Sequence, residues 1–414
     1  MDQLEVRTIE LFSGAGGLSL GLKRAGFEII QAYDSSNRAV EVYRRNVGSH
    51  VWQADLKNIF EIGPKLSALA PHAVVGGPPC QDFSAAGDRI EGERAAMTLV
   101  FAMLVCIAKP EWFIMENVPR ASKSKAWAEA RIMLVRAGYG ITQTTLNASY
   151  YGVPQARKRL IVIGRLGERD GFLDSSLAAA RSQEPMTIRH MLRNDLPDDV
   201  MLSSADAFYT RPFYSGRGVR TLDEPAPSVI RTTRERPRPH YLCSPHPGDP
   251  IPAAQAAILT QAQVSRIQGF PSDWEWGNTP CREIDQMIAN AFPAPLAEAI
   301  GNVILTRAAG RSIPQIEGHF GQWLWKRYGM SKASIRNIKT RLNRGRRLLK
   351  GRTFSEEAAE GAALESCEHF RQLPKGTRSD IRTALKIYRV WQIESLLPEE
   401  PTDRASAVLE AVAA

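Results

Sequence analysis

Paired cysteines are what this chain of 414 residues most plainly lacks. Cys80, Cys106, Cys243, Cys281 and Cys367 are odd in number, widely spread and never spaced as Cys-x-x-Cys, which argues against a disulfide framework or a zinc site. Long apolar runs are missing too. None approaches the roughly 20 residues that cross a bilayer, and Met1-Asp2-Gln3-Leu4-Glu5 is not a basic stretch leading into an apolar signal segment. A cytoplasmic location without a membrane partner is therefore expected. Acids are in deficit: 44 Asp and Glu against 53 Lys and Arg leave a net charge of +9. That balance favours a polyanion, because each Lys or Arg that neutralises a phosphate releases a counterion, although charge alone does not separate DNA from RNA or an anionic membrane surface. The deficit is deepest between Lys326 and Arg352, where eleven basic residues occur and no acid.

What is present, with 43% hydrophobic residues, suffices for two or three cores. From Val6 to Gly164, short apolar strands alternate with helical patterns, at Thr8 to Phe12, Phe27 to Tyr33, Val74-Val75, Trp112 to Met115 and Leu160 to Ile163. The alternation predicts an α/β fold, an open sheet with helices on both faces, whose ligands bind at the carboxyl ends of the strands. From Arg165 to about Leu259 it stops. Pro, Arg and Ser become frequent there, and Phe208, Tyr209, Phe213, Tyr214 and Tyr241 supply aromatics for a small irregular domain. Arg311 to Gln315 reads as a linker into an all-helical segment. In that segment Ser331 is a candidate N-cap for a helix carrying Ile335, Ile338 and Leu342, and Thr377 with Asp380 resembles a capping box ahead of Ile381, Leu385 and Tyr388. No internal repeat is evident.

Four short motifs carry chemistry. A strand ending in Phe12 runs into Ser13-Gly14-Ala15-Gly16-Gly17, where missing β-carbons let the backbone pass close to a ligand. Alone, this run with Asp34 some twenty residues on also approximates a dinucleotide fingerprint, but Ser19 stands in place of its third glycine. Gly77-Pro78-Pro79-Cys80-Gln81-Asp82-Phe83-Ser84 puts a cysteine on a proline-fixed loop just after an apolar strand. A free cysteine is most often a small buried apolar residue, and Cys106 within Leu104-Val105-Cys106-Ile107 fits that description. Cys80, flanked by two prolines and a polar Gln-Asp, does not. Glu116-Asn117-Val118 ends the strand that begins at Trp112, and Gln155-Ala156-Arg157-Lys158-Arg159 opens the next.

In that order and spacing the four segments resemble the motifs of the DNA (cytosine-5) methyltransferases, over roughly residues 5 to 306. The resemblance implies a Rossmann-like, S-adenosylmethionine-dependent catalytic core in residues 1–165 and 259–310, with a target-recognition domain over 166–258 and the basic helical module over 318–395 added to it. It further implies a monomeric bacterial enzyme acting on double-stranded DNA, with a restriction endonuclease as a candidate companion. S-adenosylmethionine would be held by Phe12, Ser13, Gly14, Ala15, Gly16, Gly17, Leu18, Asp34, Ser35, Asp55, Leu56, Pro78 and Asn290. Asp34 would accept from both ribose hydroxyls and Asp55 from the adenine amino group.

The chemistry required matches these residue types. Carbon 5 of cytosine is a poor nucleophile until something adds to carbon 6, and a thiolate can add, so Cys80 is the candidate nucleophile, with Arg159 or a helix N-terminus favouring its anion. Glu116 suits protonation at N3 where burial keeps the acid neutral. Arg157 and Arg159, alternating along one strand, would hold the base carbonyl and stiffen the cysteine loop. No face of a stacked base admits both a thiolate and a methyl donor, so the target must leave the duplex, with Gln81 and Ser84 as candidates to fill the gap. Arg94, Arg231 and Arg234 are further candidate DNA contacts, alongside Arg211, Arg217, Arg220 and Arg236.

Four positions depart from the family's pattern. Ser35 stands where an aromatic often packs on adenine, Ala262-Gln263 replaces Arg-Glu, and Ala289 replaces glycine. They leave open a catalytically weak DNA-binding regulator, and the scaffold also leaves open a transfer-RNA cytosine methyltransferase. The run around Phe320, Trp323, Leu324, Gly329, Ser331 and Ile335 weakly resembles the helical core-binding domain of tyrosine recombinases. With Arg378, Arg382, Lys386 and Arg389 on one helical face, the segment is expected to be an auxiliary phosphate-binding module, against a solvated basic face or a protein-partner surface.

Overall fold

The computed structural model describes residues 5–79, 96–195, 206–212, 216–311, 313, 316, 318–354 and 357–394. Cys80, Gln81, Ser84 and Arg94, with Phe213, Tyr214, Ser312, Pro314 and Gln315, lie outside the described residues. The chain begins with β1 (Val6–Leu11), α1 (Gly17–Ala25), β2 (Phe27–Asp34), α2 (Asn37–Asn46), β3 (Val51–Gln53), α3 (Ile59–Leu69) and β4 (Ala73–Gly76). There follow α4 (Ala96–Ala108), β5 (Trp112–Asn117), α5 (Lys125–Arg136), β6 (Tyr139–Asn147), β7 (Gln155–Ala156) and β8 (Lys158–Leu166).

Seven of these strands form one sheet in the order β3-β2-β1-β4-β5-β8-β6. The first five run parallel, while β8 lies antiparallel between β5 and β6. Strands β4 and β5 are apolar nearly throughout because helices cover both faces, which is why they were legible as plain hydrophobic runs. Strand β6 was not. Its second half is Gln143-Thr144-Thr145, partly solvent-facing at the sheet edge, and it lacks a continuous apolar signal. Helix α1 sits close to the later chain because Gly17 and Gly21 carry no side chain: a β-carbon on either would fall 2.4 Å from the Phe292 carbonyl oxygen or 2.1 Å from that of Ala294.

Beyond the sheet come α6 (Asp174–Ala179), α7 (Ile188–Asp195), β9 (Ala207–Tyr209), β10 (Val219–Thr221), β11 (Ala226–Pro227), α8 (Pro239–Cys243) and β12 (Ala257–Ile258). Strand β9 pairs antiparallel with β10 and parallel with β12, and β11 pairs with β7. This region does not carry a wholly separate core. Phe208, Leu222, Ala226 and Val229 pack with Leu259, Val264, Ile267, Ile284 and Ile288 from α9 (Gln261–Ile267), α10 (Cys281–Asn290) and the segment before α9. The stretch from Cys281 through α11 (Ala294–Ala308) is long and apolar enough to cross a membrane by length and composition, contrary to the reading of the apolar runs. Two-thirds of its most apolar window is buried inside the fold, where it serves as core.

The chain divides into compact units at 1–306 and 307–414. The second holds α12 (Gly318–Tyr328), α13 (Lys332–Leu348), α14 (Glu357–Ser366), α15 (Glu368–Arg371) and α16 (Lys375–Glu394) around Phe320, Leu324, Leu342, Phe370, Ile381 and Trp391. Ser331 caps α13 as expected, its Oγ accepting from the Ser334 amide at 3.1 Å. The capping box expected at Thr377 does not form. Helix α16 starts at Lys375, straight after Pro374, so Thr377 already lies within its first turn.

Candidate functional site

Strand β1 delivers its last residues to the carboxyl edge of the sheet, where Phe12 (φ 58°) and Gly14 (φ 52°) turn the chain back on itself in left-handed conformations. The turn is tied to the end of β2. The Gly14 amide donates to Asp34 Oδ2 and the Ser36 amide to Asp34 Oδ1, both at 2.8 Å. Burial pushes the Asp34 carboxyl above its ordinary range, and these backbone donors oppose the shift. Ser36 then caps α2 through the Ala39 amide, so one short segment both presents Asp34 and starts a helix.

A second wall comes from the ends of β4 and β5. Glu116, near the end of β5, pairs with Arg159 from β8, Nε to Oε1 2.8 Å, with side chains 16% and 14% exposed. The pair sits at the rim of a cleft. A β-carbon at Gly77 would lie 2.8 Å from Glu116 Oε2, so the glycine lets the loop pass directly over the carboxylate. Asn117 holds that loop, its Nδ2 reaching the Pro78 carbonyl at 3.4 Å while its Oδ1 accepts from the Val118 amide at 2.8 Å.

The two walls and residues 283–292 enclose one cleft of about 410 Å³. Phe12, Ser13, Gly14, Ala15, Leu18, Asp34, Ser35, Pro78, Asn290, Glu116, Arg157 and Arg159 all line it, as does Pro79, the residue before Cys80. Four expected cofactor residues do not line it. Gly16 and Gly17 shape the start of α1 against Tyr43, Val47 and Phe292; Leu56 is part of the hydrophobic core; and Asp55 is exposed, its Oδ1 accepting from the Lys57 amide at 3.0 Å.

Two arginines have other partners than expected. Arg157 is buried, and its guanidinium donates to the carbonyls of Val229 at 3.2 Å, Ala289 at 2.8 Å and Ala291 at 3.5 Å. It joins Val229 to the residues around the end of α10, and both of its terminal nitrogens are engaged by backbone while the side chain lines the cleft. Arg234 forms a two-pronged pair with Asp285 at 2.9 and 2.8 Å. Arg211, Arg217 and Arg220 likewise pair with Glu235 or Glu224. Of the six arginines read between 207 and 245, Arg231 and Arg236 remain exposed with no ion pair among the described residues.

Among the lining residues that the sequence reading missed, Glu10 is the buried acid. Glu10 is wholly buried in β1, hydrogen-bonded to Ser19, whose Oγ is also 2.7 Å from the Tyr43 hydroxyl. Burial pushes its carboxyl up to about 8. The available signal was an acid inside the apolar run Thr8-Ile9-Glu10-Leu11-Phe12. Cys106 has the surroundings of a structural cysteine: it packs on the core from α4, and burial raises the pKa of its thiol.

Residues 6–306 match the family described as C-5 cytosine-specific DNA methylase. The Type II methyltransferase M.HindV of Haemophilus influenzae is 38% identical over 302 residues, 72% of this chain and 96% of that protein. M.HgiDI of Herpetosiphon aurantiacus, also named a Type II methyltransferase, is 38% identical over 294 residues, 70% of this chain and 92% of that one. Among solved structures, the S. pombe Dnmt2 methyltransferase shares the fold with a TM-score of 0.54 at 20% identity, covering 73% of this chain and 99% of its own. The Entamoeba histolytica methyltransferase EhMeth gives 0.55 at 19%, covering 74% and 99%.

Proposed function

Because the chain belongs to the C-5 cytosine-specific DNA methylase family, we propose that its cleft joins an S-adenosylmethionine site to a cytosine site, and that Cys80 attacks the base. The observation that carries this reading is that Asp34 with Gly14 and Glu116 with Arg159 open into the same cleft, whose lining includes Pro79, the residue before Cys80 in the sequence.

The Asp34 side fits S-adenosylmethionine. Among the described residues, Ser13 Oγ is buried there without a partner and nothing lies within 4 Å of where a Gly14 β-carbon would be, and each Asp34 oxygen keeps accepting capacity for a ribose hydroxyl. Phe12, Ser13, Gly14, Ala15, Leu18, Asp34, Ser35, Pro78 and Asn290 would hold it. When bound it supplies an electrophilic methyl group. The protein's own residues do the rest. The Cys80 thiolate forms a bond to carbon 6 of an extruded cytosine, and the displaced ring electrons make carbon 5 nucleophilic while Glu116, having taken a proton from solvent as the base enters, delivers it to N3. Arg159 holds the Glu116 carboxylate beside the ring and supplies positive charge against the density that develops there. After carbon 5 gains the methyl group it loses its proton to solvent, the bond to sulfur breaks with its electron pair returning to Cys80, and N3 returns its proton to Glu116.

Duplex DNA is the proposed substrate, with Arg231 and Arg236 as phosphate contacts, in a monomeric cytoplasmic enzyme whose Type II relatives suggest a companion endonuclease. The matched family is described as a cytosine-specific DNA methylase, which favours DNA over transfer RNA. Incubation with methyl-labelled S-adenosylmethionine and either duplex DNA or unmodified transfer RNA tests this. Label in 5-methylcytosine from DNA is expected; label from transfer RNA alone would refute it.

A further inference from the structure

Unit 307–414 lies outside the matched methylase segment, and its two basic helices differ in a way that composition concealed. On α16, three of the four basic residues in the row singled out from sequence are neutralised within the unit: Arg382 pairs with Glu365, Lys386 with Glu357 at 3.6 Å, and Arg389 with Glu360 and Glu357. On α13, Arg341 pairs with Asp380 at 3.0 Å, and Arg346 is buried with its guanidinium over Tyr388. Lys332, Arg336, Arg344 and Arg347 are exposed and have no ion pair among the described residues.

Their arrangement carries more than charge. Lys332, Arg336, Thr340, Asn343 and Arg347 follow one another at helical spacings of four, four, three and four, so they form one exposed stripe, with Asn337 and Arg344 beside it. The opposite face is fixed in the unit's core through Leu342, Leu349 and the partly buried Ile335 and Ile338. A helix of 17 residues is about 25 Å long. Arginine and asparagine present the donors and acceptors that pair with guanine and adenine edges, and the major groove of B-DNA admits a helix. A purely solvated face needs no interleaved amides, and an acidic protein surface would be met as well by the α16 row if that row were not already paired.

We propose that the exposed stripe of α13 lies in the major groove of duplex DNA, as a second binding surface built outside the methyltransferase unit. Lys332 and Arg347, at its ends, meet phosphates, while Arg336, Thr340 and Asn343 face base edges. The proposal rests on the reading of duplex DNA as substrate.

The test uses the full chain carrying Lys332→Ala, Arg336→Ala and Arg347→Ala together, all at exposed positions, with circular dichroism to verify the helices. Binding to a long duplex is followed across salt concentrations, and guanine N7 in the major groove is probed with dimethyl sulfate. The slope of log K against log salt is expected to fall by about 2, at roughly 0.9 for each phosphate no longer neutralised. A patch of N7 protection seen with wild type is expected to disappear, and Lys386→Ala to change neither readout. An unchanged slope overturns the α13 surface, and a reduced slope without loss of N7 protection overturns its placement in the groove. If wild type methylates DNA while the triple variant keeps its slope, this proposal alone falls; if wild type neither binds nor methylates DNA, the reading beneath it falls too.

Discussion

Glu10 sits one residue from the end of β1 with no solvent around it, and its carboxyl is pushed by burial to about 8 from an ordinary 4.5. Between those values the folded chain keeps a proton that the unfolded chain releases, so this group's contribution is complete below about pH 4.5 and is lost as pH rises through 8. Glu10→Gln, which can still bond Ser19, should flatten the decline in urea-unfolding stability between pH 5 and 9; an equal decline in both proteins would contradict the assignment. Gly77 allows a second test. In Gly77→Ala the new methyl would meet Glu116 Oε2 at 2.8 Å, displacing the carboxylate. Displacements of about 1 Å at a reacting group cost on the order of 100-fold in rate. Methylation turnover should fall by that order while the thermal midpoint barely moves, and wild-type turnover would exclude Glu116 as the proton donor. Asp34 and Glu116 were legible because each follows an apolar strand and ligands in such sheets gather at that edge. Glu10 was not, since an acid inside a strand reads as a surface position until the covering helices are known.

At the scale of elements, β7 and β8 do more than open a strand. Gln155 donates to Gln268 at 2.7 Å and accepts from the Val229 amide at 2.9 Å, and Arg157 adds the carbonyls of Val229, Ala289 and Ala291. This explains why a Pro- and Arg-rich stretch that could pass for disorder folds onto α9 and α10. Arg157→Met would leave buried carbonyls unpaired, at about 1–3 kcal/mol each. A destabilisation on the order of 3 kcal/mol is expected in denaturant unfolding, with weaker DNA binding; unchanged stability would contradict a structural role for these bonds. The departure at Gln263 also has a local account. With Thr260 it forms a capping box at the start of α9, a role Gln fills as well as Glu. Pairwise ties of this kind join residues up to 134 positions apart, which no local pattern discloses.

For the whole molecule, the methylase match ends at 306, where the compact division also falls. Truncation after Arg311 is therefore expected to retain methyl transfer and target choice while weakening binding and flattening its salt dependence; an unchanged salt slope would remove the second unit from DNA binding. Its basic character was plain in the composition, but which row is exposed and unpaired depends on acids of α14 that neutralise α16, a relation only the fold reveals. The central claim, that Cys80 bonds to the cytosine, is tested most directly by duplex DNA bearing 5-fluorocytosine at the methylated position, because fluorine cannot leave as a proton does and the adduct persists. With S-adenosylmethionine present, the full chain should form a denaturant-resistant complex whose digestion yields a nucleotide-linked peptide containing Cys80, and Cys80→Ala should form none while still binding DNA. A complex that survives Cys80→Ala, or an adduct mapped to another residue, would contradict the account.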